Sequence, residues 1–447
     1  MVVDLGPLRR SPAYRRLWIG YLVSYVGSQL TVVAVPYQVY RATHSSLQVG
    51  LVSLAQLGGL IVGSLAGGVV ADHVDRRRLL VSSQVLLVCT SIGLMANALG
   101  SGGLVAIYLC SAAAAALTGL GSPTRSALVV ALVAREDIVT ANALWQLLSQ
   151  ISVVVGPALA GILLARIGLA SLYGLDAASF LAATLGAARL PRAALESGGG
   201  GGLSLGSFAD GMRFLRTERL MQAVYLIDLN AMVFGMPRAL FPALALGRYH
   251  GGASVLGLLY AAPGVGALCI ALFTGWTAGI RRQGVAVVCA VSIWGGAIAA
   301  FGLVRALWVG LACLAVAGAA DVVSAIFRGT ILQLEAPDEL RGRVQGVQFA
   351  VVAGGPRLGD VEAALVAGGF GVETSIVSGG IACLAGVALL LRAIPGLWRY
   401  DTGEGRGRYD TGEGRGRDAP AGALLAPELS AGRLAAPLSG ADDSVGG

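Results

Sequence analysis

Twelve times along this chain an apolar run of about 20 residues or more recurs, and each is long enough to cross a bilayer core as a helix. The runs lie near 17–40, 47–71, 78–99, 104–127, 139–165, 169–190, 219–246, 255–279, 284–304, 306–328, 344–370 and 374–394. A backbone inside hydrocarbon must satisfy its own hydrogen bonds, so runs of this length are helices. Composition agrees: 55% of residues are hydrophobic and 13% charged, with a mean hydropathy of +0.74, too apolar for a water-soluble core. The fold class expected is an all-α polytopic membrane protein. The start, "MVVDLGPLRRSPAYRRLW", is basic and enters the first run without a small-residue cleavage site, so no cleaved signal peptide is expected.

The net charge is +7 and all 32 basic Lys/Arg positions are arginine. These arginines stand in short clusters between the runs, the pattern of membrane topology rather than of a nucleic-acid-binding face. Arg9, Arg10, Arg15 and Arg16 precede the first run; Arg76–Arg78 follow the second, Arg135 the fourth, Arg189, Arg192, Arg213 and Arg216 the sixth, Arg281 and Arg282 the eighth, and Arg341 and Arg343 the tenth. The opposite loops carry only Arg41, Arg166, Arg248 and Arg305. Both termini and the even-numbered loops are therefore expected in the cytoplasm. Six scattered cysteines and three dispersed histidines offer no metal-ligand spacing, so neither metal nor cofactor is implied.

The runs divide six and six. A first bundle over 1–190 is joined to a second over 219–394 by a linker, 191–218, and a tail follows over 395–447. The linker holds the Gly/Ser tract "ESGGGGGLSLGS" and then "SFADGMRFLRTERLM", which reads as a short amphipathic helix with Ser207 and Asp210 at its N-cap and arginines suited to an anionic leaflet. The tail repeats "YDTGEGRGR" at 400–408 and 409–417 and is expected to be disordered. The bundles also repeat one another: "RSALVVALVARED" from Arg125 matches "RGTILQLEAPDEL" from Arg328, each read as an arginine at the cytoplasmic end of a span. "GPALAG" at 156–161 matches "GPRLGD" at 355–360. Repeats of this kind mark secondary transporters, with the substrate site between the halves.

The loop after the second run reads Gly68-x-x-x-Asp72-His73-x-Asp75-Arg76-Arg77 and resembles the loop motif of the major facilitator superfamily. "GPALAG" is similar to that superfamily's antiporter motif, without its upstream glycines. "AVPYQVYRATHSSLQVGL" (34–51), "SPTRSALVVALV" (122–133) and "LFPALAL" (240–246) resemble the enterobactin-exporter branch, which includes actinobacterial drug-efflux relatives. The resemblance implies two pseudo-symmetric six-helix bundles working by alternating access, with the first, fourth, seventh and tenth spans lining a cavity. Gating then falls to Gly68, Asp72, Arg76, Arg77 and Arg125, and to Gly156 and Pro157, which bend the fifth span; topology alone and plain packing are the alternatives. Tyr21, Ser24, Tyr25 and Ser28 recur on one helical face, either facing that cavity or packing as a seam.

Charges within the runs cost roughly 2.5–3.5 kcal/mol each on insertion scales, so they face a partner or a water-filled space. They are Asp176; Asp228 and Arg238; Asp321 and Arg328; and Arg357, Asp360 and Glu362. A lone carboxylate there can carry a proton, whereas one paired to arginine stays ionised. Asp228 and Asp321, and with them Glu362, are the proton-coupling candidates; Arg238, Arg328, Arg357 and Asp360 are ion-pair or substrate residues. Arg357 and Asp360 share a helix face three residues apart and are expected to pair as a latch, while Glu362, about 140° round the helix, needs another partner.

No nucleophile–base set and no phosphate-binding loop argue for an enzyme. The function expected is a secondary exporter acting as a monomer in the bilayer, exchanging protons for a siderophore or a hydrophobic drug. An importer of the same fold and a non-transporting scaffold are the alternatives.

Overall fold

The computed structural model describes residues 5–73, 76–100, 102–189, 205–271, 273, 279–337 and 340–401. Among them every regular element is helical. The first half supplies spans at Pro12–Thr43, Ser46–His73, Arg76–Leu99, Leu104–Leu132, Ile138–Ile167 and Leu169–Ala188. The seventh span is a broken helix, Arg219–Phe234 followed by short turns to Arg248. Gly252–Ala271, Gln283–Leu303, Leu307–Glu335, Arg341–Phe370 and Val372–Ala393 complete the second half. Eleven of the twelve are long and apolar enough to cross a membrane on length and composition. The eleventh span, Arg341–Phe370, has the length at 30 residues but interrupts its apolar run with Arg357, Asp360 and Glu362.

Local chemistry sets the ends. Ser11 caps the first span by accepting from the Tyr14 amide at 3.1 Å, with Pro12 preset for the first turn. Gly168 alone separates the fifth and sixth spans, and Gly371 alone the eleventh and twelfth, at φ 80° and 91°. That backbone is open to glycine and strained for other residues, and it turns the chain at the same point of each half. The amphipathic segment forms a helix at Leu205–Thr217, which already includes Ser207 and Asp210, so neither is its N-cap. The Gly/Ser tract at 191–204 and the repeated tail from 402 lie outside the described residues. Further spans depart from the sequence reading. The fourth continues to Leu132 and the tenth to Glu335, each seven residues past its arginine, so Arg125 and Arg328 lie inside their helices and not at the ends. The eighth ends at Ala271.

The halves meet between the second and eleventh spans and between the fifth and eighth. Small residues make these contacts close, as packing in lipid requires. A Cβ on Gly161 would lie 2.8 Å from Gly257 Cα and 2.9 Å from the Ala253 carbonyl. A Cβ on Gly50 would lie 2.5 Å from Ala364 Cβ. Gly50 and Gly257 open their helices while Gly161 and Ala364 are near the close of theirs, so these contacts lie toward the end of the bundle remote from the termini.

Candidate transport site

The seventh span determines where the charges go. Its α-helix stops at Phe234; Gly235 and the N–H-less Pro237 follow, and the chain resumes as a 3-10 turn, Arg238–Leu240. Broken backbone at membrane depth needs partners from elsewhere. The Ala239 amide donates to Asp360 Oδ1 at 3.0 Å. The Tyr260 hydroxyl donates to the Arg238 carbonyl at 3.1 Å. Gly359 lets the eleventh span reach this break, because a Cβ there would lie 2.2 Å from the Met232 carbonyl oxygen. Asp360 also reaches across the halves: its Oδ2 accepts from Ser53 Oγ of the second span at 2.8 Å.

Arg357 therefore does not pair with Asp360 as their spacing predicts. Among the described residues no ion pair joins them; Arg357 donates to the Ala353 carbonyl one turn back, while both carboxylate oxygens of Asp360 are engaged by Ala239 and Ser53. Glu362 is half-buried and makes no ion pair among the described residues.

Deeper in the second half, Asp228 and Arg328 form a buried ion pair between the seventh and tenth spans, with side chains 1% and 3% exposed. Arg328 Nη2 also lies 3.8 Å from Asp321 Oδ1, whose side chain is 43% exposed. Asp228 is thus not a lone carboxylate, and Asp321 is the least buried member of the triad. Arg238 lies within electrostatic reach of Asp321, Asp360 and Arg357. Three arginines and three aspartates form one near-neutral cluster around the break. Four of its buried atoms lack a hydrogen-bond partner: Asp228 Oδ2 and the Nε atoms of Arg238, Arg328 and Arg357.

Elsewhere the sequence candidates separate. Tyr21 and Ser24 are buried at 4% and 3% exposure, and Tyr21 meets the Trp145 ring of the fifth span edge-on at 5.1 Å, so these two pack rather than face open space. Tyr25 and Ser28 are half-buried, and Ser28 turns its hydroxyl back to the Ser24 carbonyl. Pro157 is buried inside the fifth span, and a Cβ on Gly156 would lie 2.3 Å from Gln29 Cβ of the first. The surroundings of Gly68 and the side chains of Asp72, Arg76, Arg77 and Arg125 lie outside what the structure describes.

Residues 3–401 match the family described as transmembrane secretion effector, a branch of the major facilitator superfamily. The chain belongs to that family. This secretion-effector protein is 33% identical over 398 residues to the enterobactin exporter EntS of Citrobacter koseri, covering 87% of this chain and 94% of the relative. It is 32% identical over 399 residues to the protein of that name from Salmonella typhi, with the same coverage. Solved structures share the fold at low identity. A peptide transporter of the POT family superposes at a TM-score of 0.69 with 12% identity, covering 87% of this chain and 95% of that one. A bacterial homologue of the iron transporter ferroportin, in an inward-facing state, gives 0.64 with 16% identity, covering 87% and 98%. The secretion-effector protein is therefore a multi-pass membrane transporter of small molecules and not an enzyme.

Two contacts of the site escaped sequence reasoning. Ser53 is one serine among many in apolar runs, and the Ala239 amide is exposed only because the seventh span breaks. Gly235, Pro237 and Pro242 in "GMPRALFPALAL" were the available signal for that break.

Proposed function

We propose that this protein exports a catecholate siderophore by proton antiport, working as a monomer with both termini in the cytoplasm. The observation that carries the reading is the similarity to enterobactin exporters along 94% of their length. The charge cluster supplies a chemistry for it. Catechol hydroxyls stay protonated at neutral pH and can donate to an ionised Asp321, while Arg238 and Arg357 offer donors to the substrate's oxygens. A proton arriving at Asp321 removes that acceptor and releases the substrate, so proton and substrate exclude one another. Arg328 remains held by Asp228 throughout. With the termini inside, the Ser53–Asp360 contact lies toward the outer face and closes it while the cytoplasmic side loads.

The test is transport by purified protein in liposomes with an imposed pH gradient, comparing a catecholate siderophore with a cationic hydrophobic dye. Gradient-driven accumulation of the siderophore supports the proposal. Accumulation of the dye alone moves the substrate class to drugs, and transport of neither under either gradient sign ends the exporter reading.

A further inference from the structure

Among the described residues, the membrane spans of the first half contain one buried carboxylate that the reading above leaves unused. Residues 17–40, 79–99, 138–165 and 169–188 include no Asp, Glu, Lys, Arg or His except Asp176. It is 1% exposed, at the junction of the first, third and sixth spans. Its Oδ2 accepts from Thr31 Oγ1 of the first span at 2.6 Å and from Ser91 Oγ of the third at 2.9 Å. Its Oδ1 is buried without a partner. A Cβ on Gly27 would lie 2.0 Å from Ser179 Oγ and 3.3 Å from Asp176 Oδ1, so these two oxygens border one small space. Ser179 itself donates to the Asp176 carbonyl at 2.7 Å. No basic group pairs with Asp176 among the described residues. The other titratable groups near it are Tyr173 on its own helix and, beyond Tyr173, Cys110 of the fourth span, both uncharged at neutral pH.

An ion buried without a counter-charge is far costlier than the neutral acid, and two hydroxyl donors do not replace an arginine. A neutral carboxyl fits these contacts: Oδ2 is the carbonyl oxygen that accepts twice, and Oδ1, to which no group donates among the described residues, carries the hydrogen. A polar seam leads away from it. One turn up the sixth span the Tyr173 hydroxyl donates to Gln38 Oε1 at 2.7 Å. Gln38 Nε2 donates to Asn97 Oδ1 at 2.9 Å, and Asn97 Nδ2 to the Gly103 carbonyl at 3.1 Å. Gly103 lies in the loop between the third and fourth spans, at the end remote from the termini.

We propose that Asp176 is a proton-binding site of the first half, loaded in this conformation and exchanging its proton with water that enters from the remote side beside the polar groups of Tyr173, Gln38 and Asn97. On discharge the Oδ1–H bond breaks, the proton passes to water, and a carboxylate remains; that uncompensated charge drives the first span to repack against the third and sixth. The link to transport rests on the exporter reading, whereas the proton site does not.

The experiment is infrared spectroscopy of the protein in lipid nanodiscs at neutral pH, reading the carboxylic-acid C=O band. The expected result is a band lost in Asp176→Asn and kept in Asp321→Asn. Thr31→Val guards against a misfolded variant, since removal of one donor to Oδ2 should leave the band and move it to higher frequency. An acid-region spectrum unchanged in both Asp176→Asn and Thr31→Val overturns the proposal. In liposomes, Asp176→Asn should lose gradient-driven accumulation by roughly tenfold or more while retaining downhill equilibration. Full gradient-driven accumulation in that variant overturns the coupling role. If the wild type moves no tested substrate, the exporter reading fails and the infrared band still decides Asp176.

Discussion

Ser53→Ala removes one hydrogen bond, and it is the one by which Asp360 of the second half holds the first. Ser53 Oγ donates to Asp360 Oδ2 at 2.8 Å, and the neighbouring Ala239 bond at 3.0 Å stays within the second half. A hydrogen bond to a charged group contributes about 1.5–3 kcal/mol net. At 1.4 kcal/mol per decade, its loss shifts the balance between closed and open at that end by roughly 10- to 150-fold. The residual closure comes from glycine packing at Gly161–Gly257 and Gly50–Ala364, which the substitution leaves untouched. The assay is a spin-label pair at the remote ends of the second and eleventh spans, read by pulsed dipolar spectroscopy in nanodiscs. A short-distance population in the wild type should give way to a longer one in Ser53→Ala. Ser53→Ala added to Asp360→Ala should produce no further change, because the bond is already absent. A distance distribution for Ser53→Ala matching the wild type would refute the latch.

Other outcomes follow from the same geometry. Asp228→Leu or Arg328→Met alone should destabilise the detergent-solubilised protein by about 3–5 kcal/mol, and the double variant should recover most of that loss, measured by thermal unfolding. Gly161→Val should open the remote end in the same spin-label assay, because its side chain would enter the Gly257 backbone. Arg10→Ala should cost about 1–3 kcal/mol, because Arg10 is 65% exposed but the Asp137 carboxylate it bridges at 2.8 Å is 8% exposed and loses that partner.

Eleven of the membrane helices were legible because each is written as an apolar run, and the eleventh span keeps the length while its run is interrupted by Arg357, Asp360 and Glu362. What the runs conceal is tertiary. Arg328 and Asp228 are 100 residues apart, and no local spacing announces that they meet. Arg357 and Asp360 are three apart on one helix, and spacing alone allows them to pair. The broken seventh span competes for the same carboxylate with a backbone amide, and the second span competes with a hydroxyl; both win because hydrocarbon leaves those donors no water. The three charges of "GGPRLGDVEAALV" thus have different reasons. Asp360 satisfies the break and joins the halves, Arg357 belongs to the cluster beside it, and Glu362 stands apart from both.

The central claim is that the Asp321 cluster exchanges a proton for a catechol-bearing substrate. The most direct measurement compares wild type and Asp321→Asn in liposomes, following a catecholate siderophore with and without a pH gradient. The wild type is expected to concentrate the siderophore only when the gradient is present, and Asp321→Asn to equilibrate it without concentrating it. Gradient-driven concentration by Asp321→Asn at the wild-type level would contradict the account.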